Sequence, residues 1–354
     1  MDGTQLIYNR LFYRLLYISQ IIIFLISYII YVRRGLTIFK YLYSWNKETF
    51  LSKCFELINI PELEVLVKQF GNKIPENLED EKRLRWLVEF SKNWDFRSTQ
   101  KSAYDLKTEE KARWLIDNSV LDKQQTSAAI NAARKLGMID CTLPAKKEYD
   151  TIFVLGGARM SCLFRMKYVK ELYEHYGIKA KEIAGLTGMR PIAESERSAT
   201  DTYAPGANTE FDLMCASAQN IFGVSQPETS TQTINENINS SWAITRYRNI
   251  IPITILAAPS SEPEKRRANT ADTFVFWEKL KNKQKGKQLL LVTSQIYVPY
   301  QQLEAARILG LMYGYNVETV GFPREWSSNM QGLQTAANYL QEIRSTLLSM
   351  NKLL

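Results

Sequence analysis

The stretch Asp150-Thr-Ile-Phe-Val-Leu-Gly-Gly-Ala-Arg-Met160 decides how the rest of the chain is read. Residues 151–155 form an uncharged run rich in β-branched and aromatic side chains, the pattern of a parallel-sheet strand covered on both faces. Gly156-Gly157 follows at its carboxyl end, where glycines permit a tight turn and a close approach to the backbone. Phe164, Val169, Leu172 and Tyr173 then recur at helical spacing, so the unit reads strand, glycine turn, helix. Open α/β sheets bind ligands at the carboxyl ends of their strands, and Arg159 and Arg165 stand within reach of an anion there. The ordinary alternative is a tight turn in a βα unit that holds nothing.

Working outward toward the carboxyl end, strand and helix patterns alternate. Residues 181–187 give a second strand ending in Thr187-Gly188-Met-Arg190-Pro191, and residues 208–222 a helix capped by Asn208 or Thr209. Residues 225–249, rich in Ser, Thr and Asn, read as an excursion or flexible loop. Strands are expected at 250–257, 288–292 and 315–320, with helices opening at Asn269, Pro299 and Met330. Strands separated by helices predict an α/β fold: a doubly wound, mostly parallel sheet with right-handed crossovers.

Toward the amino end, residues 15–32 (LLYISQIIIFLISYIIYV) are eighteen residues without a charge. A membrane-spanning helix needs ~20 such residues, and Tyr17, Tyr28 and Tyr31 suit interfacial positions. Arg10 and Arg14 precede the run while Arg33, Arg34 and Lys40 follow it, so the side of the membrane is not set. We expect a single-pass membrane anchor; a buried helix of a helical domain is the alternative. Residues 35–147 read as helical, with amphipathic patterns at 49–58, 82–90, 109–116 and 127–136, a restart at Pro61 and a linker at 142–148. The expected division is therefore 1–34 hydrophobic segment, 35–147 α-helical region and 148–354 α/β domain, the last able to fold alone.

Composition excludes more than it selects. With 45% hydrophobic and 23% charged residues the chain is that of a folded protein. The net charge of +8, from 45 Lys+Arg against 37 Asp+Glu, suits an anionic ligand or a membrane surface. The basic residues form no block, so no nucleic-acid partner is expected. Cys54, Cys141, Cys162 and Cys215 lack metal or disulfide spacing, and one histidine, His175, excludes a multi-histidine metal site or a Ser-His-Asp triad built elsewhere. No metal set and no named cofactor follow from the sequence.

The strand ends carry the chemistry. Gly156-Gly157, Thr187-Gly188 and Thr293-Ser294 each supply backbone N–H groups or hydroxyls at the starts of helices. Arg159, Arg190, Arg266 and Arg267 add charge-assisted donors. Each feature alone is common turn chemistry; together they suit a phosphate, a nucleotide or a carboxylate.

The same residues carry a family resemblance. Val154-Leu-Gly-Gly157, Arg165, Leu186-Thr-Gly188, Thr209-Glu210, Glu264-Lys-Arg-Arg-Ala-Asn-Thr270 and Leu291-Val-Thr-Ser294 fall in the order found in the SanA/ElyC/YdcF-like family. The resemblance covers about residues 150–321 and implies a Rossmann-like domain, often behind a membrane anchor, with links to nucleotide-like ligands and the cell envelope. It matches Gly156, Gly157 and Arg165 to the first turn, Thr187 and Gly188 to the second, and Glu210, Glu264, Asn269 and Thr270 to the acidic motifs. Three positions depart: Tyr297 and Tyr300 stand where the family usually has His and Arg, and Arg267 where a small hydroxyl residue is common; an unperturbed tyrosine is a poor base near neutrality.

Three readings follow. In an enzyme on a phosphorylated or nucleotide-like substrate, Glu210 and Glu264, with Asp272 as a further candidate, would serve as base or metal ligands, with arginines stabilising charge. In a ligand-binding module the same site works without turnover. In a membrane-anchored scaffold the helical region binds a partner. The sequence favours an anionic-ligand site and leaves turnover open.

Overall fold

The run at 151–155 becomes the middle of a sheet. In the computed structural model, which describes residues 47–95, 121–281, 286–328 and 334–354, β1 (Glu148–Leu155) lies between β2 (Lys179–Gly188) and β6 (Gln288–Ser294) and is parallel to both. β5 (Ile253–Ala258) joins the outer side of β2, and β7 (Asn316–Phe322) the outer side of β6, again in parallel. All five parallel strands therefore end on one edge.

Residues 225–249 are not a loop. β3 (Thr229–Thr233) and β4 (Trp242–Tyr247) pair antiparallel, β4 pairs antiparallel with β5, and the seven-stranded order is β3-β4-β5-β2-β1-β6-β7. Every residue of β3 is exposed, so it shows no apolar alternation for a sequence pattern to detect.

Among the described residues the α-helices of seven residues or more are, in chain order, α1 (Lys47–Ile58), α2 (Pro61–Gln69), α3 (Asp80–Phe90), α4 (Lys123–Lys135), α5 (Ser161–Glu174), α6 (Glu194–Thr200), α7 (Glu210–Phe222), α8 (Thr270–Lys281), α9 (Val298–Ala305) and α10 (Ala336–Asn351). Alternate side chains of each strand serve the two faces. Ile152 and Val154 join Met166 and Val169 of α5 and Met214 of α7. Phe153 and Leu155 join Phe274 and Trp277 of α8 and Leu309, in the π-helical turn that continues α9. With helices on both faces, the second half of β1 is buried, which is why Ile152-Phe-Val-Leu155 is uniformly apolar.

The helices α1 to α4 form a third layer. Pro61 starts α2, where a missing N–H costs nothing, and Asp122 and Gln125 close a capping box on α4. Their apolar faces meet Leu303 of α9 and Tyr339, Leu340, Ile343 and Leu347 of α10 in one core. The α/β part thus lends its carboxyl-terminal helix to the helical region, and the two share a buried face rather than standing apart.

Among the described residues no helix is long and apolar enough to cross a membrane. The run at 15–32 and the helical pattern at 109–116 lie outside the described residues.

Candidate functional site

At the end of β1 the chain must turn from strand to helix within a few residues. The Gly156 N–H still donates to Leu186 O at 2.7 Å, extending the strand pairing by one bond. Arg159 adopts φ 53°, a left-handed conformation few side chains take, and its carbonyl accepts the Tyr203 hydroxyl at 2.7 Å. α5 then begins with no side-chain cap, so the positive end of its dipole faces the carboxyl edge.

Both glycines are demanded by what lies against them. A Cβ on Gly156 would overlap Glu210 Oε1 and come within 3.0 Å of Leu186 O. A Cβ on Gly157 would lie 2.8 Å from Ser161 Cβ and 3.0 Å from Arg165 Nη1. Close approach is thus the reason for the pair, but the approaching groups are the protein's own.

Arg165 shows where the sequence expectation shifts. Its guanidinium is buried and donates to Leu155 O at 2.7 Å, to Gly156 O, and to Ser294 Oγ at 3.1 Å. It also lies over the Tyr297 ring, 5.9 Å from the centroid. Arg165 ties the turn after β1 to the end of β6.

Across the turn stands an acidic cluster. Thr209 caps α7, as its position suggested, which presents Glu210 at the helix start. Arg190 Nε donates to Glu210 Oε2 at 3.1 Å, and Nη1 donates to Glu196 Oε2 at 2.8 Å and to Pro191 O at 3.1 Å. Burial works against the Arg190 charge, but the Glu210 and Glu196 carboxylates outweigh it and push its pKa up. Glu196 is fully buried. Its Oε1, like Arg190 Nη2, has no hydrogen-bond partner among the described residues. Sequence reasoning missed Glu196 and Tyr203; the polar run 191–203 has no apolar period to flag α6.

Two neighbouring groups are held protonated. Burial, with Glu210 nearby, pushes the Cys162 thiol up to about 12, and its Sγ donates to Gly157 O. Burial, reinforced by Cys162, Glu196 and Glu210, also raises the Tyr203 hydroxyl. Neither is a nucleophile at neutral pH.

The remaining expected residues are distributed unevenly. Thr187 and Gly188 belong to β2 itself; the Thr187 hydroxyl is buried and donates to Leu256 O at 2.9 Å, while Ala268 packs over Gly188. Thr293 is fully buried with no hydroxyl partner among the described residues, and Ser294 accepts from Arg165. Asn269 caps α8 by accepting the Asp272 N–H at 3.1 Å, Thr270 opens that helix, and Arg266 is drawn to Asp272 at 2.5 Å. Glu264 is exposed and accepts from Asn237, in the β3–β4 connection, at 3.2 Å. The fold therefore gathers Gly156, Gly157, Arg165, Arg190, Glu210 and Ser294 around the β1 turn, with Arg159 in the turn itself. It commits Thr187, Asn269 and Asp272 to local structure. Among the described residues no group of His, Cys, Asp and Glu forms a metal set.

Comparison with known proteins places this geometry in context. A family model described as the Rv3785 N-terminal domain matches residues 44–137, the segment containing α1 to α4. The uncharacterised protein Rv3785 of Mycobacterium tuberculosis (strain ATCC 25618 / H37Rv) is 35% identical over 306 residues, covering 82% of this chain and 85% of the relative. The uncharacterised protein Mb3814 of Mycobacterium bovis matches with the same identity and coverage. No solved structure matches the chain.

Proposed function

The chain belongs to the family of the mycobacterial protein Rv3785, and on that premise we propose that its carboxyl sheet edge binds a small anionic, phosphorylated or nucleotide-like ligand. The observation that carries the reading is the uncapped amino end of α5 directly after Gly156-Gly157. It lies where the strand order reverses: β2 and β5 follow on one side of β1, β6 and β7 on the other. That is the crevice in which Rossmann-like sheets take their ligands, and a helix amino end there favours negative charge. A Rossmann-like, doubly wound reading of the sheet and the resemblance of residues 150–321 to the SanA/ElyC/YdcF-like family support this proposal.

Binding without turnover is the form the contacts favour. Glu210, the candidate base, is already paired with Arg190, Glu264 is exposed on a loop, and Tyr297 packs its ring rather than offering a base. The apolar run at 15–32 supports a membrane anchor and, with the resemblance, a role at the cell envelope. Retention of the full-length protein in the membrane fraction after a carbonate wash tests that part; release into the soluble fraction removes it.

Calorimetric titration of inorganic phosphate, nucleotides and sugar phosphates tests the site. Arg159→Ala should weaken binding by ~1.5–3 kcal/mol if the side chain makes a charge-assisted bond to the ligand; the bond from the Tyr203 hydroxyl to the backbone carbonyl of residue 159 does not depend on that side chain. If none of these anions binds, or if Arg159→Ala binds like wild type, the ligand is not at this turn.

A further inference from the structure

The glycine turn and the helical region are joined by one continuous line of contacts. From the turn, Arg165 reaches Ser294 at the end of β6 and lies over Tyr297 three residues later. The Tyr297 ring packs against the core built by α1 to α4, and Ile296 is buried inside that core. Just before them Gln295 donates through Nε2 to the carbonyl of Gly137, the left-handed residue just past α4, φ 80°, at 2.7 Å. Gln295 is seated this tightly because β7 offers Gly321 beneath it, where a Cβ would fall onto the Gln295 backbone. The three residues after β6 thus touch the proposed ligand turn on one side and the helical region on the other.

We propose that the seating of the helical region sets the shape of the glycine turn, so that the state of one is thermodynamically coupled to the state of the other through Arg165, Gln295 and Tyr297. The ligand half of this statement rests on the proposed anion site; the structural half does not. Each contact is short-ranged and polar or aromatic, and Arg165 holds the Gly156 carbonyl directly. A displacement of Tyr297 therefore removes one wall of the Arg165 guanidinium, and with it the strut under the turn. Coupling of this kind is reciprocal by necessity, which spatial adjacency alone does not guarantee.

The test is amide hydrogen exchange on the full-length, ligand-free chain. Tyr297→Leu and Gln295→Leu keep apolar bulk while deleting the stacking and the hydrogen bond. Each should speed exchange in residues 156–165 and in residues 133–139 by about tenfold, through more frequent local opening. In the reverse direction Leu136→Ala, a cavity in the helical core, should speed exchange at 156–165. Phe274→Leu, on the far face of the sheet, serves as the control for general destabilisation and should spare that peptide relative to its neighbours. Acceleration confined to the vicinity of each substitution overturns the proposal, as does equal acceleration in the control. Titration with adenosine diphosphate and inorganic phosphate then addresses the ligand half: Tyr297→Leu should weaken whichever binds the wild type. Wild-type failure to bind either probe counts against the anion site and leaves the exchange result standing by itself.

Discussion

Replacing Arg165 by Met separates the two roles open to that side chain. The substitution keeps the aliphatic stem and removes a guanidinium that donates to Leu155 O, Gly156 O and Ser294 Oγ. The residue is 3% exposed, so water does not freely replace those bonds. Each hydrogen bond to a charged group contributes roughly 1.5–3 kcal/mol, and a buried carbonyl left without a donor costs ~1–3 kcal/mol. Partial relaxation of the turn offsets some of this, so the expected net loss is about 2–4 kcal/mol. For a slope of about 3 kcal/mol/M the urea midpoint should fall by about 1 M. Arg165→Lys should recover only part, because one ammonium cannot span both carbonyls and the serine. A midpoint within about 0.2 M of wild type, together with lost anion binding, would refute the strut and return Arg165 to the ligand.

Other outcomes follow from groups on the opposite edge and beneath the site. Tyr149→Phe removes the hydroxyl that donates to buried Glu318 at 2.5 Å, and should cost ~1.5–3 kcal/mol in chemical denaturation; no change would mean the pair is not formed in solution. Burial raises the Glu304 carboxyl, but hydrogen bonds from Ser349, Arg307 and Lys352 outweigh it and hold the pKa below 4.5. A depressed carboxyl stabilises the fold above its ordinary value and loses that contribution as pH falls through its folded value. Wild type should therefore exceed Glu304→Gln in thermal stability at pH 7, the gap closing below 4.5; a gap that widens in acid contradicts the pairing. Cys162, pushed up to about 12, should resist iodoacetamide at pH 8 in the folded chain and react once it is denatured, as peptide mass spectrometry would show.

The sequence exposed those parts of the architecture that repeat a local rule. An uncharged run before two glycines marked β1, the Thr209 cap marked α7, and Asn269 marked the start of α8. β3 escaped because an edge strand made of exposed Thr, Ser and Gln needs no apolar face. The site was legible in its ingredients and not in their pairing. Whether Arg165 faces a ligand or its own backbone depends on Ser294, 129 residues away, and on Tyr297. Arg190 and Glu196 are only six residues apart, yet their pairing depends on how α6 folds back, which no period in that polar segment announces. Glu264 matched a motif, but motif order does not fix distance, and its loop carries it to Asn237.

The placement of α10 bears on how the chain is made. α1 to α4 leave the ribosome before any strand of the sheet, yet the apolar wall they pack against includes Tyr339, Leu340, Ile343 and Leu347, which emerge after every strand. Throughout translation the early helices must therefore keep an oily face uncovered or lend it to a chaperone, and closing so long a loop is slow. A nascent chain stalled before α10 would present that face to the cell, making premature termination near the carboxyl end as damaging to the amino-terminal helices as a lesion within them.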